Sequence, residues 1–298
     1  MLFTDFNTAT GYSGPAAIRV LRSTCGQEKH GDLYNPAPDG CYLFESLRKN
    51  GYQAFTALNH DGVYGDFSKE IVTLGKAAPP MGDQGLSPRQ LDFDKSPVYD
   101  DLQVLDKWLA VRNKSGAARA ALYYDTVTLH AGAHFVGEKF WWLKSRKTHY
   151  KECLVGMMQE LDQFFGQLAA SRRNYVVIFV PEHGAALVAK SIQPADLREI
   201  PLPSITLDPV GIKFIGPAFS HVPPGQRIIS KPTSYTAFTY VISELLKNVP
   251  VSKIDLKNIP ETPYVSEGQN NKIVQMGNSY YLKEKGKSWV KLPEEDVK

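Results

Sequence analysis

The stretch Tyr175-Val176-Val177-Ile178-Phe179-Val180, followed at once by Pro181-Glu182-His183-Gly184, decides how the rest of the chain is read. Its unbroken β-branched and aromatic run predicts a strand buried on both faces, as in a sheet covered by helices on each side. Working outward, strand-like and helical segments alternate. Residues 1–6 read as a strand end and 8–14 as a turn. Residues 53–59, 118–129 and 211–215 read as further strands, the second ending at His130. Residues 15–21, 42–50, 97–111, 148–170 and 234–246 read as helices. Pro15 falls in a first turn, where its missing N–H costs nothing. Gly51 suits the end of a helix, and Val98, Leu102, Leu105 and Leu109 share one helical face. Beyond about residue 251 the pattern changes to short polar strands, such as 272–275 and 279–283. This alternation predicts an α/β fold with a mainly parallel central sheet, helices on both faces and a small β-rich C-terminal segment. Residues 1–250 are expected to form a catalytic domain, with 251–298 as an extension packed on it. Ligands of such sheets bind beyond the carboxyl ends of the strands, where Glu182 and His183 stand.

The composition excludes several classes. The 298 residues are 43% hydrophobic and 22% charged, an ordinary globular balance. With 34 basic and 31 acidic residues and no basic stripe, the chain is not built as a nucleic-acid binder. No apolar run reaches the roughly 18 to 20 residues of a membrane span, and the start lacks the pattern of a signal peptide. A chain opening directly on a functional turn is expected to lack upstream sequence. Cys25 and Cys41 flank a loop rich in Gly, Pro, Asn and Asp. They are either one bridge, implying an oxidising compartment, or two free thiols. Cys153 falls in a helical pattern and reads as a small core residue.

Three segments carry candidate chemistry. In Thr10-Gly11-Tyr12-Ser13-Gly14-Pro15, a hydroxyl stands where a helix begins. It is either an N-cap or a nucleophile beside backbone N–H groups that favour a phosphate. In Pro181-Glu182-His183-Gly184, a carboxylate and an imidazole follow a strand, and both are standard zinc ligands. The third, Leu129-His130-Ala131-Gly132-Ala133-His134, offers two further histidines, of which His134 reads as a surface residue. A serine-hydrolase triad does not fit. Pro15 replaces the last glycine of the nucleophile elbow, and position 13 leaves no room for the strands that precede one. Trp141 and Trp142 are either packing residues or a platform for sugar rings.

Taken together, DFNTATGYSGPAAIR (5–19), SPVYDD (96–101), the Leu129-His130 pair, VPEHG (180–184) and LREIPLPSIT (197–206) resemble the periplasmic catalytic domain of the cellulose phosphoethanolamine transferases, the BcsG family. The likeness runs in order along nearly the whole chain. It extends to the lipid A phosphoethanolamine transferases and to the alkaline phosphatase and sulfatase superfamily. The resemblance implies that Ser13 is the nucleophile and also a metal ligand. It implies that Glu182 and His183 bind a catalytic Zn2+, that His130 contacts the transferring group, and that Tyr12 and Arg198 occupy other active-site positions. It pairs Cys25 with Cys41. The implied donor is phosphatidylethanolamine and the acceptor a glucose C6 hydroxyl of cellulose, with contact to the cellulose synthase complex. The implied location is the periplasmic side of a bacterial inner membrane, reached through N-terminal helices outside this sequence. The family's further zinc ligand, a Cys upstream of the nucleophile, has no counterpart here, so the chain is expected to be a truncated catalytic domain. The alternatives are a lipid A enzyme, a phosphodiesterase or sulfatase-type hydrolase, and a glucan- or synthase-binding scaffold with a decayed zinc site. Ser13-Gly14-Pro15-Ala16-Ala17 lacks the arginine of the sulfatase pattern.

Overall fold

The computed structural model describes residues 1–220 and 227–297. Its strands are β1 (Leu2–Phe3), β2 (Gln53–Leu58), β3 (Pro88–Leu91), β4 (Pro97–Tyr99), β5 (Ala120–Asp125), β6 (His134–Phe135), β7 (Tyr175–Phe179), β8 (Val210–Ile215), β9 (Ile228–Ile229), β10 (Val265–Glu267), β11 (Asn271–Met276), β12 (Ser279–Glu284) and β13 (Val290–Lys291). Its helices are α1 (Ser13–Leu21), α2 (Leu43–Lys49), α3 (Phe67–Thr73), α4 (Asp101–Lys114), α5 (Arg146–Ala170), α6 (Pro203–Thr206), α7 (Tyr235–Leu246) and α8 (Glu294–Val297). Two compact units form, one from residues 1–43 with 173–298 and one from 44–172. The C-terminal stretch from 251 onward therefore lies within the first unit, and the second is inserted in the middle of the expected 1–250 domain.

The first unit holds a sheet in the order β7-β8-β1-β9. Its pairing is more mixed than the parallel sheet expected: β7–β8 and β1–β8 are antiparallel, and only β1–β9 is parallel. The YVVIFV strand forms, but at the sheet's edge. Val176 is 38% and Phe179 37% exposed, not buried on both faces. An apolar run reports what a strand can bury; the number of neighbours is set by topology. The core gathers Phe3, Phe6, Tyr235 and Phe238, with ring centroids 5.5–6.3 Å apart. In the same unit α1 buries Pro15, Ala16, Ala17, Ile18, Arg19 and Leu21. The C-terminal strands form an antiparallel sheet, β10-β11-β12-β13. Its Ile273 and Leu282 pack with Leu202 and Ile205 of the α6 region.

The second unit pairs β2 and β5 in parallel, from Gln53↔Ala120 to Leu58↔Asp125, and holds a small sheet β4-β3-β6. Here α4 lies on α5, with Trp108 and Phe164 rings 6.3 Å apart. The helix expected over 97–111 begins only at Asp101. Residues 97–99 are held extended against β3, and the Asp100 carboxylate caps the helix by accepting the Gln103 N–H at 3.2 Å. The strand expected over 118–129 likewise stops at Asp125, because a side-chain network takes over the following turn.

Candidate active site

The segment leading to Ser13 is clamped from several sides. Asn7 N–H donates to Thr233 O and Thr8 N–H to Thr206 O. The Asn7 amide reaches Val265 O at 2.9 Å, and the Tyr235 hydroxyl donates to Thr8 O at 2.7 Å. Ala9 adopts φ 62° and donates its N–H to Asn7 Oδ1. Rigid elements therefore aim the turn at residues 10–13. At its end Tyr12, not Ser13, is the N-cap, and it makes no side-chain cap. Ser13 is the first helical residue, so its hydroxyl is not spent on capping. The first intrahelical bond runs from Ala16 N to Tyr12 O at 3.1 Å. The N–H groups of Ser13 and Gly14 thus belong to the donors that a helix start cannot satisfy internally, and they suit an anion.

Glu182 and His183 follow β7 as sequence reasoning expected, and both are half-buried. His183 Nδ1 lies 3.0 Å from Gly184 O. Donation to that carbonyl makes Nε2 the lone-pair nitrogen, the form that binds a metal. Gly184 needs to be glycine for space: an added Cβ would stand 3.2 Å from Asp208 Oδ1 and 3.3 Å from the carbonyl oxygens of Ser204 and Ile205. Its N–H donates to Ile205 O at 2.6 Å.

Arg198 borders the Ser13 loop. A Cβ on Gly11 would lie 2.7 Å from Arg198 O, so the chains touch there. Burial lowers the Arg198 pKa, and the charges of Glu182 and Tyr12 oppose that shift. Ser13, Tyr12, Glu182, His183 and Arg198 all fall in the first unit.

His130 falls in the second unit, on the turn after β5. Asn59 builds that turn, accepting the Val127 N–H at 2.8 Å and donating to Thr128 Oγ1 at 2.8 Å. The Thr128 hydroxyl in turn donates to the buried Asp101 at 2.6 Å. His130 Nδ1 meets Asp92 Oδ1 at 2.9 Å, which points Nε2 at whatever the ring serves. His134 stacks on Trp141 at 4.5 Å.

Two residues were missed in the sequence. Asp92 stands 38 positions from His130, beyond any local pattern. Asp208 sits just before β8 with no motif around it. Its Oδ2 is buried with no hydrogen-bond partner among the described residues, and burial pushes its pKa up to about 7. Cys25 and Cys41 are bridged, and Cys153 is a buried free thiol.

A metal can be tested against these groups. A carboxylate and an anchored imidazole are a proper zinc donor pair, and an orphaned carboxylate oxygen nearby marks a place that favours positive charge. Among the described residues no three His, Cys, Asp or Glu side chains group closely enough to hold an ion by themselves. Glu182 and His183 therefore fit as two ligands of a site that needs at least one further donor.

Comparison with known proteins matches residues 1–289 to the family model "Cellulose biosynthesis protein BcsG C-terminal domain". The cellulose biosynthesis protein BcsG of Escherichia coli K12 is 40% identical over 299 residues, covering 98% of this chain and 52% of that protein. The chain thus spans about half the length of the curated relatives it matches. The C-terminal periplasmic domain of EcEptC from Escherichia coli, solved with Zn, aligns at TM-score 0.62 and 14% identity, over 90% of this chain and 78% of its own. A protein of the alkaline phosphatase superfamily from Vibrio parahaemolyticus aligns at TM-score 0.58 and 11% identity, over 100% of this chain and 72% of its own. The expected alkaline phosphatase-like fold is therefore observed.

Proposed function

The chain belongs to the family of the BcsG C-terminal domain, and from that premise we propose that it carries the catalytic residues for moving phosphoethanolamine from phosphatidylethanolamine to a glucose C6 hydroxyl of cellulose, by way of Ser13. The observation that carries this reading is the turn after β7, where His183 is anchored through Nδ1 beside Glu182, while the Arg198 backbone abuts Gly11 of the Ser13 loop. Glu182, His183 and the Ser13 oxygen would hold Zn2+. A bound zinc lowers the pKa of a hydroxyl and stabilises charge on phosphoryl oxygens.

Ser13 Oγ attacks the donor phosphorus. The bond to the glycerol oxygen breaks, and diacylglycerol leaves with the proton. The acceptor hydroxyl then attacks the same phosphorus, and Ser13 recovers its proton. The N–H groups of Ser13 and Gly14 face the phosphoryl oxygens, and Arg198 with Tyr12 orients the group. Asp92 holds His130 with Nε2 available, the form in which an imidazole takes or gives a proton. The Cys25–Cys41 bridge supports a periplasmic location, where disulfides persist. The cellulose synthase complex is the partner this reading implies. No described helix is long and apolar enough to cross a membrane.

Mass spectrometry of the full-length protein given phosphatidylethanolamine tests the assignment. The expected result is a phosphoethanolamine adduct on the peptide holding Ser13, absent from Ser13→Ala. An adduct that survives the substitution overturns the role of Ser13. Free ethanolamine phosphate as sole product would replace transfer by hydrolysis.

A further inference from the structure

The second unit presents apolar side chains to water just before α5. Val136 is 52% exposed, Phe140 61%, Trp142 62% and Leu143 75%. Packing does not explain them, since a tryptophan that packs in this unit, Trp108, is only 7% exposed. They are also held in place. Phe140 takes φ 60°, in the left-handed region that bulky residues rarely enter. The turn closes through Leu143 N to Phe140 O at 2.9 Å and Lys144 N to Trp141 O at 3.1 Å. Trp141 stacks on His134, and Lys144 is tied to Glu138 and Glu152.

We propose that residues 136–147 dock on the surface of an anionic lipid bilayer, with Phe140, Trp142 and Leu143 entering its interfacial layer. The amphipathic indole of Trp142 favours that layer, and the apolar side chains of Phe140 and Leu143 anchor below it. Charge fits the same partner. From 136 to 152 the chain carries Lys139, Lys144, Arg146, Lys147 and Lys151 against two acids, Glu138 and Glu152, both of which pair with Lys144. Lys139 and Lys147 are exposed and close in sequence to the apolar residues, which suits them to lipid phosphates. A glucan chain fits less well. Sugar rings stack along a flat row of aromatic faces, whereas Trp141 and Trp142 stand at 82° and Phe140 and Trp142 at 69°. Leu143 and Val136 offer a sugar nothing to stack on.

The test is co-sedimentation of the chain with vesicles of phosphatidylethanolamine and phosphatidylglycerol, while tryptophan emission is followed. Binding with a blue shift is expected, together with quenching by brominated acyl chains, which needs no substitution. Trp142→Ser with Leu143→Ser should weaken partition by roughly 10-fold or more. Lys139→Gln with Lys147→Gln should weaken it by about 10-fold, and wild-type binding should fall with salt. Both variants should melt as the wild type does, because these side chains are exposed. No binding, no bromolipid quenching, or undiminished binding of the Trp142/Leu143 variant overturns the proposal. So does an emission shift with soluble cello-oligosaccharide in place of vesicles, which would assign the patch to glucan. Vesicle binding is read without turnover, so this proposal and the transfer reading fail separately.

Discussion

Removing the Cys25–Cys41 bridge should loosen the first unit and leave the second untouched. The cysteines are 16 positions apart. The chain-entropy relation then gives about 3 kcal/mol of lost stability in the variant Cys25→Ala/Cys41→Ala. Alanine is the right replacement because Cys41 is buried, and a serine would add an unsatisfied hydroxyl. The native loop has other ties. Buried Arg22 pairs with Glu28 at 3.3 Å and donates to Asn35 O at 2.8 Å. Those ties hold the folded loop in shape, but they do not restrict the unfolded chain, where the bridge acts. Cys25 ends the 3-10 turn that follows α1, so the loss reaches the helix that begins at Ser13. Hydrogen exchange read by mass spectrometry resolves the two units. Amides of α1 and β8 should exchange roughly 100-fold faster in the variant, following the 3 kcal/mol, while α4 and α5 keep their rates. A change below about 10-fold in α1, or an equal change in α4 and α5, refutes the loop-closure argument.

Asp208→Asn should flatten the pH dependence of stability of the metal-free protein in chelator. The folded carboxyl titrates at about 7 against 3.8 in the reference state, so its stabilising contribution is full below about pH 4 and lost as pH rises through 7. The wild type should lose roughly 2–4 kcal/mol more than the variant between pH 4 and 8, and parallel melting curves would sink this. Gly11→Ala forces a Cβ to 2.7 Å from Arg198 O, so backbone must move. A loss of about 1–3 kcal/mol in chemical denaturation is expected, together with weaker Ser13 adduct formation. Asp92→Asn removes the carboxylate that orients His130. Transfer by the full-length protein should fall by about 100-fold with a changed pH–rate profile, while circular dichroism stays the same; an unaltered profile argues against the pairing.

The elements whose local chemistry is self-contained were legible in the sequence. Residues 15–21 read as a helix because Pro15 suits its first turn, and 53–59 read as a strand. Both appear as α1 and β2, with boundaries within a few positions. Boundaries failed where a side chain from elsewhere decided them. Asp100 starts α4, and Asn59 with Asp101 ends β5. Ser13, Glu182 and His183 stood out in the sequence as candidates because each lies within a few residues of a helix start or strand end. Asp92 and Asp208 could not, because their partners are distant in sequence.

By itself, then, the sequence determined that a strong strand ends in a glutamate–histidine turn and that a serine opens an early helix, since both are matters of neighbours along the chain. Only the tertiary structure decided that the strand lies at a sheet edge in antiparallel pairing, and that Tyr12 rather than Ser13 takes the cap position. It also decided that Arg198 packs against Gly11 and that Asp92 holds His130. These depend on which segments meet in space, and hydrophobic periodicity carries no record of that.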